Sequence, residues 1–158
     1  MTQTFEACQS ALQQLIDDES LSGKARNEAT TRLQVIDRLL FEALGWQRSE
    51  CIAEERFEGQ FTDYTMISPN RLLIVEAKRE GIYFELPLEE RPTPLRPIRY
   101  FERNNRPTFD AIQQCMAYCQ QRGAPFGAVA NGHQIVAFVA SRSDVIPAMP
   151  DAPVGSAR

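Results

Sequence analysis

A carboxylate and an ammonium lie two positions apart in Arg71-Leu-Leu-Ile-Val-Glu-Ala-Lys-Arg79, a segment that otherwise reads as a hydrophobic strand. Strand alternation places Leu72, Ile74, Glu76 and Lys78 on one face and Leu73, Val75 and Ala77 on the other. If this strand turns back symmetrically on its predecessor about Pro69-Asn70, with Ser68 opposite Arg71, then Asp63 falls directly opposite Glu76. Opposed side chains on antiparallel strands have Cβ atoms about 5 Å apart, and like charges there destabilise the sheet. A divalent cation between the two carboxylates removes that penalty. Magnesium suits such a site, because it takes hard oxygen ligands at about 2.1 Å and keeps several waters. Lys78 could then hold or deprotonate an attacking water, or stabilise charge on a phosphate. The plainer alternative is an edge strand whose charges face solvent.

Three further side chains bear on this constellation. Glu28 lies on the side of a long helix that also carries Val35 and Leu39, so it is either a third carboxylate at the rim of the site or the i, i+4 partner of Arg32. Gln114 and Tyr118 interrupt the apolar stripe of Ile112, Cys115, Met116 and Cys119 on a later helix. Such a polar pair could orient a phosphate or fix the lysine, or could simply be a satisfied surface pair. Other chemistries are poorly supplied. His133 is the only histidine, and Cys8, Cys51, Cys115 and Cys119 form no Cys-x-x-Cys pair, which argues against a zinc site, a Ser-His-Asp triad or a Cys-His pair. The cysteines are expected to be reduced.

The elements that must position these groups follow from periodicity. Residues 4–18 read as an amphipathic helix, and residues 27–44 as a longer one with Leu33, Ile36, Leu40 and Leu44 on its core stripe and Gly45 past its end. Residues 50–57, 60–67 and 71–79 read as three strands that pair antiparallel in sequence order. Residues 80–107 hold Pro87, Pro92, Pro94, Pro97 and Pro107, which exclude a regular helix across the segment. Thr108 is placed to cap a helix from Phe109 to Gln121 closed by Gly123, and Phe126–Ala130 and Gln134–Ala140 form a hairpin about the two-residue turn Asn131-Gly132.

The 158 residues make one α/β (α+β) domain: an N-terminal helix in 1–22, a core in 23–143 with the Pro/Arg-rich insertion 80–107, and a linker-like tail in 144–158. The longest apolar run, Ile135 to Ala140, is too short to span a bilayer, and the N-terminus lacks a signal-peptide pattern, so a soluble cytoplasmic protein is expected. Net charge is −4; with Glu6, Asp17, Asp18 and Glu19 set aside, the rest of the chain is balanced, so a global basic footprint for nucleic acid is missing. A local one exists: Arg96, Arg99, Arg103 and Arg106 accompany Tyr100 and Phe101 against Glu102 alone, a combination suited to phosphate contact and base stacking. Solvated pairs with Glu85, Glu89 and Glu90 are the alternative use of these arginines. Of 17 basic residues only Lys24 and Lys78 are lysines, which singles out the position of Lys78.

Taken in order, Asn27-Glu28, Asp63, Glu76-Ala77-Lys78 and Gln114-x-x-x-Tyr118 resemble the PD-(D/E)xK nuclease superfamily, and most closely the N-terminal nuclease domain of type I restriction-enzyme R subunits. Asn27-Glu-Ala-Thr-Thr-Arg32, Val35-Ile-Asp-Arg-Leu-Leu40 and Leu44-Gly-Trp46 are similar to that domain's first helix, and the likeness spans about residues 24–140. It departs from the pattern at Thr62, where the family usually has proline, and in the length of 80–107. The resemblance implies a restriction-endonuclease-like αβββαβ core, a mixed central sheet flanked by helices, with an extra N-terminal helix. It implies Mg²⁺, with Mn²⁺ substituting, on Asp63, Glu76 and the Ala77 carbonyl; Lys78 positioning the water; Glu28 supporting the metal or its water shell; and Gln114 and Tyr118 assisting DNA contact or cleavage. The activity implied is hydrolysis of DNA phosphodiesters in a bacterial restriction or anti-phage system, beside a fused or associated helicase, NTPase or sensor domain, and it admits a homo-oligomer. A catalytically silent nuclease-fold module and an unrelated α/β interaction domain are the competing expectations.

Overall fold

The computed structural model describes residues 4–21, 26–85 and 97–141. Arg96, Pro87, Pro92, Pro94 and the tail 144–158 therefore lie outside the described residues. Helix α1 (Phe5–Ile16) starts at Thr4, whose hydroxyl accepts a hydrogen bond from the Ala7 N–H at 3.3 Å. Its expected core stripe is mostly not core: Leu15 is buried, but Phe5 and Ile16 are exposed, and α1 packs chiefly on the C-terminal half of the next helix.

That helix, α2, runs over residues 28–43. Its first turn, Glu28–Thr31, is α-helical, capped by the Asn27 side chain, which accepts from the Thr30 N–H at 2.8 Å. It continues through two π-helical stretches, Arg32–Ile36 and Leu39–Ala43. Of the expected stripe, Ile36 and Leu40 are buried, with Thr31, Val35 and Ala43 beside them, while Leu33 and Leu44 at its edges are exposed. Gly45, with φ 74°, ends the helix as expected.

Strands β1 (Cys51–Phe57), β2 (Gln60–Ile67) and β3 (Arg71–Ala77) pair antiparallel, β4 (Phe126–Ala130) joins β3 in parallel, and β5 (Ile135–Val139) closes the sheet antiparallel, giving the order β1-β2-β3-β4-β5. The protein is thus α/β with a five-stranded mixed sheet. The expected β2–β3 register holds at Tyr64↔Val75, Thr65↔Ile74 and Met66↔Leu73. It slips only near the turn, where a bulge pairs Ile67 with Arg71, so Ser68 does not face Arg71. The next turn is also corrected. Ala130 pairs with Ile135, so the loop is 131–134 rather than two residues, because the Asn131 carbonyl oxygen Oδ1 accepts from the His133 and Gln134 N–H groups.

Helix α3 (Arg99–Asn104) lies inside the segment expected to be irregular. Helix α4 (Arg106–Arg122) follows at once, and its cap is Asn105, not Thr108. The Asn105 side chain accepts from the Thr108 N–H at 3.1 Å, while Pro107 in the first turn, where no helical N–H is needed, extends the helix upstream. The α4 helix crosses from β3 to β4 and covers one sheet face, burying Ile74 and Val129 against Ile112, Cys115 and Cys119. Ile36 and Leu40 of α2 cover the other face over Tyr64, Met66, Val75 and Ala77. The strand alternation predicted for β3 therefore assigns Glu76, on the Ile74 side, to the α4 layer. Among the described residues, no helix is long and apolar enough to cross a membrane.

Candidate active site

Four elements converge at the C-terminal end of β3. Glu76 is 5% exposed. Its Oε1 accepts from Lys78 Nζ at 2.9 Å, while its Oε2 is buried with no hydrogen-bond partner. A buried carboxylate oxygen without a partner is costly, and it marks a place where a ligand belongs. Burial holds the Glu76 carboxyl above the ordinary carboxylate range; Lys78 offsets part of this, and the charges of Asp63 and Glu28 add to it.

Asp63 lies within β2, one step past Tyr64, the last β2 residue that pairs with β3, where the register carries it toward Glu76. Its Oδ2 accepts from the Ala77 N–H at 2.7 Å, which ties the carboxylate to the backbone beside Glu76. Its Oδ1 lies 3.1 Å from Nη1 of Arg32. The two acids are thus matched by separate bases, Arg32 for Asp63 and Lys78 for Glu76, and the like-charge penalty is offset by the protein itself. Arg32 does not pair with Glu28 as the i, i+4 spacing allowed. Glu28 is exposed in the first turn of α2, near enough for its charge to act on Glu76.

Lys78 is held from two sides. Besides Glu76, its ammonium donates to Oε1 of Gln114 at 3.1 Å, and Gln114 Nε2 donates to the Tyr118 hydroxyl at 3.1 Å. The Lys78 backbone N–H donates to the Ala130 carbonyl at 2.7 Å, fixing the strand end from which the side chain departs. Gln114 therefore reaches the lysine, whereas Tyr118 stands one residue behind it, under the Arg122 guanidinium at 5.2 Å.

The arginine cluster divides. Arg99 and Arg103 are exposed on α3 and form no ion pair among the described residues. Arg106 is engaged with Asp110 at 2.8 Å and stacks over Phe109 at 5.2 Å. Tyr100 packs edge-on against the buried Phe101 ring, with centroids 5.3 Å apart, so it is half-committed to the core rather than free for stacking. The α3 helix packs on α4, which carries Gln114.

Sequence reasoning missed Arg32 and Glu54 as members of the site. Glu54 Oε1 also approaches Arg32 Nη1, at 3.2 Å. Among the described residues no three His, Cys, Asp or Glu side chains converge as a metal-binding group. The donor set on hand is two carboxylates, Asp63 and Glu76, with backbone oxygen from Ala77. That set fits a hard cation that keeps much of its water, and the orphaned Glu76 Oε2 is the observation in its favour. Compared with known proteins, the chain matches no family model, no curated protein and no solved structure.

Proposed function

We propose that this chain is a metal-dependent DNA endonuclease domain with a restriction-endonuclease-like core, acting in the cytoplasm as part of a bacterial restriction or anti-phage system. The single observation that carries this reading is the buried, partnerless Oε2 of Glu76 beside Asp63 and within one side chain of Lys78. Asp63, Glu76 and the Ala77 carbonyl would hold Mg²⁺, with Mn²⁺ substituting. When bound, the ion lowers the pKa of a coordinated water and steadies charge on the leaving oxygen. The chain's own residues supply the rest. Glu76 and Gln114 hold the Lys78 ammonium at the rim of the site, where a remaining proton can point at the attacking water or at a phosphate oxygen. Glu28 stands where it can accept from water, and Tyr118 orients Gln114 by accepting its amide N–H. Arg99 and Arg103, which form no ion pair among the described residues, would present their guanidinium groups to the DNA backbone, a local substitute for the missing global positive charge. A helicase, NTPase or sensor domain would deliver the substrate.

A second reading, a catalytically silent module of the same fold, is favoured by one observation: Arg32 already neutralises Asp63. Incubation of supercoiled plasmid with the protein separates the two. The nuclease reading expects nicked or linear product with Mg²⁺ or Mn²⁺ and intact plasmid with chelator; plasmid left intact with either metal supports the silent module.

A further inference from the structure

The Arg32 guanidinium sits between two carboxylates and an aromatic ring. Its Nη1 is 3.1 Å from Asp63 Oδ1 and 3.2 Å from Glu54 Oε1, and its plane lies over the Tyr64 ring, 5.2 Å from the centroid. Tyr64 is fixed in turn, buried under α2 with its hydroxyl donating to Asp37 at 2.6 Å. The platform beneath the guanidinium is therefore rigid, while the side chain above it keeps a fifth of its surface exposed.

Glu54 is the unusual member. It lies inside β1 with φ 53°, a left-handed conformation that a residue with a Cβ rarely adopts. The ladder pairs Ala53 with Tyr64 and Glu55 with Thr62 on either side, and skips Glu54. This side chain reaches Arg32, yet Glu54 remains 69% exposed. Positional strain of this kind is characteristic of functional positions.

A cation held by Asp63 and Glu76 would lie beside the Arg32 guanidinium, which faces Asp63 Oδ1 while Oδ2 already accepts the Ala77 N–H. The two positive charges repel across one carboxylate, so Arg32 is pushed outward, and Glu54 is already within reach to receive it. We propose that Arg32 is a resident counter-cation of the candidate metal site and that Glu54 is its second seat, so that the pair forms a latch that a divalent ion displaces. This rests on the metal reading above. The latch keeps Asp63 paired and aligned against the Ala77 N–H when metal is absent, and sets a threshold of metal concentration for filling the site.

Calorimetric titration of the full chain with Mn²⁺ tests it without any measure of cleavage. Arg32→Ala should bind Mn²⁺ about tenfold more tightly than wild type. Arg32→Gln, which keeps the stem over Tyr64 and an N–H donor, should also gain affinity and serves if Arg32→Ala unfolds. Glu54→Gln should bind about threefold more weakly, because the displaced guanidinium loses its partner. In the Arg32→Ala background, Glu54→Gln should change affinity by less than about twofold, since an exposed charge acting only through solvent is screened. Wild-type binding left unchanged or weakened by both Arg32 substitutions overturns the latch alone, as does a Glu54 effect that persists in full without Arg32. If no variant binds Mn²⁺, the metal site falls and the latch with it.

Discussion

Glu76 and Asp63 look alike in sequence but stand in opposite energetic positions. Glu76 is buried with one oxygen unpartnered, so its ionised form is tolerated rather than rewarded. Asp63 is a structural acceptor, taking the Ala77 N–H and facing Arg32. In metal-free protein, Glu76→Gln should change stability by no more than about 1 kcal/mol, because relief of the buried, unpartnered oxygen is set against the loss of the charge that faces Lys78. Asp63→Ala should lower stability by about 1–3 kcal/mol, because it strands a backbone donor and a guanidinium. Thermal melts with chelator present check both. Lys78→Arg is expected to lose most activity even where the fold is intact: a planar guanidinium cannot keep the compact geometry between Glu76 and Gln114. Single-turnover cleavage near the wild-type rate would reduce the lysine to a mere positive charge. Spacing in the sequence was enough to pick out Asp63, Glu76, Lys78 and Gln114, since strand and helix periods are local. Arg32 was not legible in its role, because its choice of Asp63 over Glu28 depends on how α2 meets the sheet.

At the scale of elements, β1 and α4 are joined through Arg122. This side chain is 2% exposed and lies between the Phe57 and Tyr118 rings, at 5.3 and 5.2 Å. Its charge is answered by Glu55, whose carboxyl is held below the ordinary range by the Arg71 hydrogen bond, against some burial, with Thr65, Arg71 and Arg122 adding to the effect. A depressed carboxylate contributes stability that is complete above its ordinary pKa of 4.5 and is lost as pH falls through the lowered folded value. Glu55→Gln should thus cost about 3 kcal/mol at neutral pH, because Arg122 is left buried and unpaired. It should also flatten the loss of stability in acid below about pH 4.5. Urea denaturation across that range reads both effects, and an unchanged acid limb contradicts the assignment. The strands and the β2–β3 register followed from alternation and turn residues. What did not follow came from local choices between near-equivalent residues: Asn105 displaced Thr108 as the cap of α4, and Asn131 used its side chain to lengthen a turn.

On the scale of the whole molecule, a sheet covered by helices was legible, but the placing of α2 and α4 on opposite faces came from the structure, and the surface around α3 was not legible. Proline content hid the short α3 helix, and only packing distinguishes the committed Arg106 and Tyr100 from the exposed Arg99 and Arg103. With a net charge of −4, the protein has no general attraction for DNA, so loss of these two groups should be felt strongly. Arg99→Ala with Arg103→Ala is expected to weaken DNA binding and to lower the slope of log affinity against log salt by about 0.7–0.9 per lost phosphate contact. Mn²⁺ binding should be unaffected, and an unchanged slope would move the contact to another surface. The most direct measurement for the site as a whole compares wild type with Glu76→Gln on the same supercoiled plasmid in Mg²⁺, with DNA affinity and melting temperature measured in parallel. The account predicts that Glu76→Gln folds and binds DNA as wild type does but leaves the plasmid supercoiled. Cleavage by Glu76→Gln at the wild-type rate would contradict it.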